Sequence, residues 1–123
     1  MKKTIMIVML SVLFLVGCGY KFISFSGESD NWKGEYATNI EGSSENGTYT
    51  LGYKNAPNNL TFKNLEILID GVTRQKMEEY NRAIIKIPTS CSGCLVTTEN
   101  STIKVTIKWN NINEETFYLE SGK

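Results

Sequence analysis

Histidine is absent from this chain of 123 residues, and cysteine and proline are scarce, with three and two copies respectively. Without histidine the chain lacks the commonest general base, the commonest metal ligand and the usual switch near neutral pH. A structural zinc site needs four ligands, and the close pair Cys91 and Cys94 offers two. We therefore expect no metal, no cofactor and no enzymatic activity. A hydrolase is disfavoured because no histidine is available to activate a serine.

The chain also lacks an apolar run of the roughly twenty residues that a membrane-spanning helix needs. Its first apolar stretch, from Ile5 to Val16, is about twelve residues long, follows the basic start Met1-Lys2-Lys3 and precedes small Gly17. A basic start, a short apolar run and a small residue before a cleavage point are typical of an exported precursor. The sequence predicts a signal peptide over residues 1–17 and a mature chain over residues 18–123.

Leu15-Val16-Gly17-Cys18 stands at the end of this leader. It resembles the lipobox of bacterial lipoprotein precursors, in which the cysteine thiol takes a diacylglyceryl group and the leader is cut off just before it. The resemblance implies that Cys18 is the lipidated first residue of the mature protein. It also implies attachment to the extracytoplasmic face of the cell membrane, because two acyl chains give durable anchoring where one does not. An ordinary secretory signal with an incidental cysteine is the alternative.

Charge and length limit what the mature chain can be. Thirteen basic residues less Lys2 and Lys3, set against thirteen acidic residues, leave a net charge of −2 after cleavage. An acidic balance argues against nucleic acid as a partner, because phosphates need a positive surface. The remaining length suits one hydrophobic core and no more. We expect a single domain over 18–123, with 18–21 as a tether.

Alternation of apolar and polar residues is the main secondary-structure signal in the mature chain. It predicts strands near residues 22–25, 32–38, 48–54, 60–69, 72–78, 84–87, 103–109 and 116–119. Seven to eight short strands separated by turn signals predict an all-β fold, an antiparallel β-sandwich of immunoglobulin-like type. A small open barrel is the alternative.

The alternating pattern is weaker in three segments, where other sequence signals predict the secondary structure. Residues 39–47 are polar and predict a loop, and Pro88 is expected to end the strand before it. Asp70-Gly71 is typical of a two-residue hairpin turn and favours a strand after it. Residues 73–83 also contain good helix formers, with Met77, Tyr80 and Ile84 on one helical side, so a helix remains the alternative there.

Cys91-Ser92-Gly93-Cys94 is the clearest candidate for chemistry. Outside the cytoplasm such a pair can be a disulfide, a redox site or part of a metal site. Thioredoxin-like sites place the pair before a helix, whereas here a β-branched segment follows. We predict a structural disulfide between Cys91 and Cys94, with a redox-responsive thiol pair as the alternative.

The segment from Phe25 to Trp32, FSGESDNW, is the second notable motif. Together with Ile107-Lys108-Trp109-Asn110 and the ending Glu115–Leu119, ETFYL, it resembles a pattern found in small, uncharacterised lipoproteins of Gram-positive bacteria. The resemblance implies a fold and a location but no activity. Glu28 and Asp30 could bind a cation, although the segment is more simply a tight turn that leads Trp32 into the core.

No other pattern indicates catalysis. Glu78-Glu79 and Glu114-Glu115 are adjacent pairs whose side chains diverge on a strand, so they do not predict a glycosidase site. The aromatic residues favour core packing over a carbohydrate-stacking surface, because most lie at inward phases of the strands. We predict a lipid-anchored envelope domain that binds another envelope protein or a wall polymer. The alternative is a thiol-dependent envelope protein using Cys91 and Cys94.

Overall fold

Eight strands joined by short turns and one longer loop make up residues 20–122, the part of the chain that the structure, a computed structural model, describes. Their bounds are β1 Tyr20–Glu28, β2 Trp32–Glu41, β3 Ser44–Tyr53, β4 Phe62–Ile69, β5 Val72–Tyr80, β6 Ile84–Cys91, β7 Ile103–Trp109 and β8 Asn113–Ser121. No helix occurs within these residues. The predicted all-β, antiparallel fold of seven to eight strands is confirmed.

The strands follow the order β5-β4-β7-β8-β1-β2-β3-β6, with every neighbouring pair antiparallel. Two four-stranded halves, β5-β4-β7-β8 and β1-β2-β3-β6, pack face to face as in a sandwich. They are joined on one side by a short ladder in which Phe25 and Ser26 of β1 pair with Ser121 and Glu120 of β8. The other side, between β5 and β6, is unpaired, so the sandwich resembles an open barrel.

Turns lie at two ends of the sandwich. The end formed by the start of β1, the turns 42–43 and 70–71 and the loop 92–102 is called the lower end. The upper end consists of residues 29–31, 54–61, 81–83 and 110–112. Both residues of the Asp70-Gly71 turn have positive φ, 51° and 82°, as a tight hairpin turn requires.

The core contains the residues that the alternating pattern places inward. In β2 burial alternates along the whole strand, from Trp32 to Ile40. Trp32 has none of its surface exposed, and its ring lies 5.1 Å from Tyr53, 5.3 Å from Phe62 and 5.6 Å from Trp109, centroid to centroid. Because these residues come from both halves, the aromatic cluster holds the halves together near the upper end.

Several predicted boundaries are wrong. Residues 39–47 are not a loop, since β2 and β3 continue to a tight turn at Gly42-Ser43. The strand predicted over residues 72–78 is confirmed and extends to Tyr80 in β5, which pairs with β4, so the alternative helix over 73–83 is wrong. The strand before Pro88 does not end there, because β6 continues to Cys91. An edge strand tolerates proline where its missing N–H falls on the unpaired side. β1 begins at Tyr20, so the region between Cys18 and the first strand is shorter than the predicted tether.

Candidate functional site

A cleft between β5 and β6 is the most distinctive opening among the described residues. The two strands are consecutive and separated only by residues 81–83, yet they do not pair with each other. At the upper end the hydroxyl of Tyr80 donates a hydrogen bond of 2.7 Å to the carbonyl of Ile84. Towards the lower end a cleft of about 680 Å³ lies between the two strands. It is lined on the β5 side by Ile69, Asp70, Val72 and Arg74 and on the other side by residues 87–91 and part of the loop 92–102.

A buried carboxylate, Glu45, lies at the inner wall of this cleft with 7% of its surface exposed. It accepts hydrogen bonds from the hydroxyls of Tyr36 at 2.6 Å and Thr38 at 3.0 Å. Thr97 adds two more, from its backbone N–H at 2.8 Å and its hydroxyl at 2.9 Å. Glu45 therefore connects β2 and β3 with the loop 92–102 and holds that loop across the lower end.

The environment of Glu45 determines its charge. Burial raises the pKa of the carboxyl, but the hydrogen bonds from Tyr36, Thr97 and Thr38 together outweigh burial and leave the pKa below its ordinary value. The pKa of the Tyr36 hydroxyl is raised, first by burial and then by the neighbouring Glu45. Burial is also the main cause of the raised pKa of Tyr49, whose ring stacks on Tyr36 with centroids 4.1 Å apart. Glu45 is thus an ionised acceptor whose oxygens are already occupied.

The sulfur atoms of Cys91 and Cys94 lie 2.08 Å apart, which is disulfide distance, beside the same cleft. Cys91 ends β6, and the backbone N–H of Cys94 donates a 3.2 Å hydrogen bond to the carbonyl of Ser43 in the β2–β3 turn. Gly93 between them has a φ of 68°, a left-handed conformation that glycine adopts without strain. The described residues after the pair form no helix, unlike the arrangement of thioredoxin-like sites.

The FSGESDNW motif forms a structural connection at the upper end. Glu115 of the ETFYL segment accepts hydrogen bonds from the hydroxyl of Ser29 and from the side-chain amide and the backbone N–H of Asn31, the last at 3.0 Å. Burial raises the pKa of Glu115, and these hydrogen bonds outweigh it, so the pKa is lowered. The two segments singled out in the sequence therefore contact each other in space.

The carboxylate of Glu28 is paired with a lysine and is not free to bind a cation. Glu28 forms an ion pair with Lys54, which also donates to the backbone carbonyl of Ser29 at 2.7 Å. Trp32 is fully buried, as the turn interpretation predicts. Within residues 20–122, no three His, Cys, Asp or Glu side chains lie close enough together to hold a metal ion.

Sequence reasoning found the cysteine pair and the motif but missed Glu45 and the cleft. Cys18 lies outside the described residues, so its predicted lipidation stays a prediction. The part of the chain that the structure describes contains no helix long and apolar enough to cross a membrane. Comparison of the chain with models of protein families, with curated proteins and with solved structures finds no match in any of the three.

Proposed function

We propose that the mature chain is a lipid-anchored binding domain at the extracytoplasmic face of the cell membrane. Lipid on Cys18 holds it there, and an extended segment of another envelope protein binds along the free edge of β5. The observation that carries the binding role is the open side of the sheet, where β5 pairs with β4 and with no other strand of residues 20–122. A free edge presents unpaired N–H and C=O groups that an added strand can pair with.

Of the two edge strands, β5 is the better acceptor. β6 contains Pro88, which lacks a backbone N–H, and a proline inside an edge strand blunts that edge. β5 contains no proline, and its exposed charged side chains include Arg74, Lys76 and Glu78. Charged side chains discourage indiscriminate pairing with other edges and favour a partner of complementary charge.

The state of the carboxylates supports binding rather than catalysis. A general acid or base must be free to exchange a proton with a substrate. Glu45 and Glu115 instead accept hydrogen bonds from neighbouring side chains and backbone, and both have lowered pKa values. Each acts as a structural connection between strands or loops.

The anchor is tested by replacing Cys18 with alanine. We expect the C18A chain to incorporate no radioactive fatty acid, because it has no thiol to acylate, and to be either released from the detergent phase or stranded there as the uncleaved precursor with its apolar leader. A C91S/C94S chain is the matched control, since it removes the other thiols and should still be labelled. Equal fatty-acid incorporation by C18A and the unchanged protein would contradict the proposal.

The binding edge is tested by photo-crosslinking in living cells. A photo-reactive amino acid replaces Arg74, which is exposed on β5 at the cleft, or Thr116, which is exposed on β8 in the interior of the sheet. We expect a covalent adduct with an envelope protein from position 74 and little or none from position 116. Adducts of equal yield at both positions, or adducts that contain wall sugars instead of protein, would refute an edge-strand site.

The alternative function uses Cys91 and Cys94 as a redox pair, and the partial exposure of both residues favours it. The same crosslinking with a folded C91S/C94S chain separates the two functions. If the pair is structural, the adduct at position 74 persists, and unfolding costs about 2 kcal/mol less, the value expected for so small a ring. If the adduct disappears while the fold is kept, the thiol function is favoured.

A further inference from the structure

We infer that the lower end of the domain rests directly on the lipid bilayer, with Leu95 and Phe22 inserted among the lipid headgroups. This inference depends on the proposed lipidation of Cys18 and adds an orientation and a contact surface to it. Two features support this orientation: the short length of chain between the lipid and the first strand, and the apolar side chains exposed at the lower end.

The available tether is very short. Only Gly19 separates Cys18 from Tyr20, the first residue of β1, whose backbone pairs with Glu41 of β2. Even a fully extended chain spans at most about 3.3–3.6 Å per residue, so the Cα atoms of Cys18 and Tyr20 are no more than about 7 Å apart. Because the acyl chains of Cys18 must lie within the bilayer, the start of β1 must lie at the headgroup layer.

The start of β1 fixes which surface faces the bilayer. The ladders of β1 with β2 and of β3 with β6 place Tyr20 beside Glu41 and place Cys91 beside Glu45. The loop 92–102 covers the same end and is tied to β1 by an ion pair of 2.6 Å between Lys21 and Glu99. The lower end as a whole is therefore brought to the membrane with the start of β1.

Large apolar side chains are exposed at this end. Leu95, which directly follows Cys94 in the loop 92–102, is fully exposed at 101%, and Phe22 on β1 is 61% exposed. Val72 beside the Asp70-Gly71 turn is 53% exposed. Moving such side chains from water into an apolar environment is favourable, because it removes apolar surface from water. Lipid contact therefore stabilises an end-on orientation.

The upper end supplies a matched control, because Ile112 in the β7–β8 turn is also highly exposed, at 89%. The native tryptophans, Trp32 and Trp109, are buried in the aromatic cluster near the upper end and give a background signal remote from the lipid. A tryptophan placed at either exposed position therefore reports on that end alone.

The test uses the lipidated full chain, as L95W or I112W, reconstituted in phosphatidylcholine vesicles with or without brominated acyl chains. We expect bromine to quench the added fluorescence of L95W at least about twofold and to leave that of I112W unchanged, because bromine quenches at short range. Absence of quenching at position 95, or equal quenching at both positions, overturns the orientation. A chain that carries no lipid and does not float with the vesicles overturns the proposed anchor, and the inference with it.

Discussion

Replacing Gly27 with alanine is expected to destabilise the domain by at least about 3 kcal/mol, because the added methyl group has no room. A Cβ at this position would lie 1.9 Å from the backbone carbonyl oxygen of Tyr118 and 2.9 Å from its carbonyl carbon. A backbone carbonyl cannot rotate aside as a long side chain can. The substitution must therefore force apart β1 and β8, whose short ladder joins the two halves of the sandwich.

Urea unfolding, followed by tryptophan fluorescence, measures this effect. Gly52→Ala is the control: Gly52 also lies within a strand, but a Cβ there would meet only the flexible side chain of Lys33, at 3.6 Å. We expect G52A to stay within about 1 kcal/mol of the unchanged protein. Similar unfolding midpoints for G27A and G52A would show that β1 and β8 do not approach as closely as described.

Replacing Glu45 with alanine is expected to cost about 2–3 kcal/mol, because it leaves buried donors without an acceptor. The hydroxyls of Tyr36 and Thr38 and the backbone N–H of Thr97 all donate to this carboxylate. The loop 92–102 loses its connection to the sheet at the same time. Proteolysis at neutral pH should therefore cut E45A first in this loop, while the unchanged protein resists.

The lowered pKa of Glu45 gives this residue a defined pH dependence. A carboxyl whose pKa is lower in the folded state than in the unfolded state stabilises the fold above the unfolded pKa, which is about 4.3 for glutamate. That stability is lost as the pH falls through the folded pKa. Between pH 6 and pH 3 the unchanged protein should lose more unfolding free energy than Glu45→Gln.

Glu115 also has a lowered pKa, so some acid sensitivity should remain in E45Q. Glu35→Gln is the control, because Glu35 is exposed on β2. We expect E35Q to follow the unchanged protein across the pH range. An E45Q chain whose acid sensitivity equals that of E35Q would mean that Glu45 is not held as a buried carboxylate.

Much of the fold could be predicted from the sequence, because half-buried strands display their inward face as every second residue. The alternation in Ile103–Trp109 predicts β7 in full, and Asp70-Gly71 predicts the β4–β5 hairpin. β5 is harder, because an edge strand buries little and its sequence contains good helix formers. Pairing with the neighbouring strand β4 determines its conformation, because cross-strand contacts override the helix preference of its residues.

The candidate site was less predictable, because its polar residues form hydrogen bonds with partners that are distant in the sequence. Glu45 lies in residues 39–47, a segment whose serines, glycines and asparagines predict a loop. In β3 it has the same inward phase as Tyr49 and Leu51, and that phase was the available signal. Nothing local indicates that Glu115 binds Ser29 and Asn31, because the partners are separated by more than 80 residues.

The aromatic cluster around Trp32 has a consequence for motion. It joins the halves near the upper end, whereas on the open side hydrogen bonds to Glu45 hold the loop 92–102 across the lower end. Low-energy openings of a native protein occur where few apolar contacts hold the structure. Amide protons of β5 and β6 should therefore exchange fastest near Val72 and Cys91 and slow towards Tyr80. Local opening at the lower end would let the cleft between β5 and β6 widen when a partner strand binds, while the aromatic cluster keeps the upper end rigid.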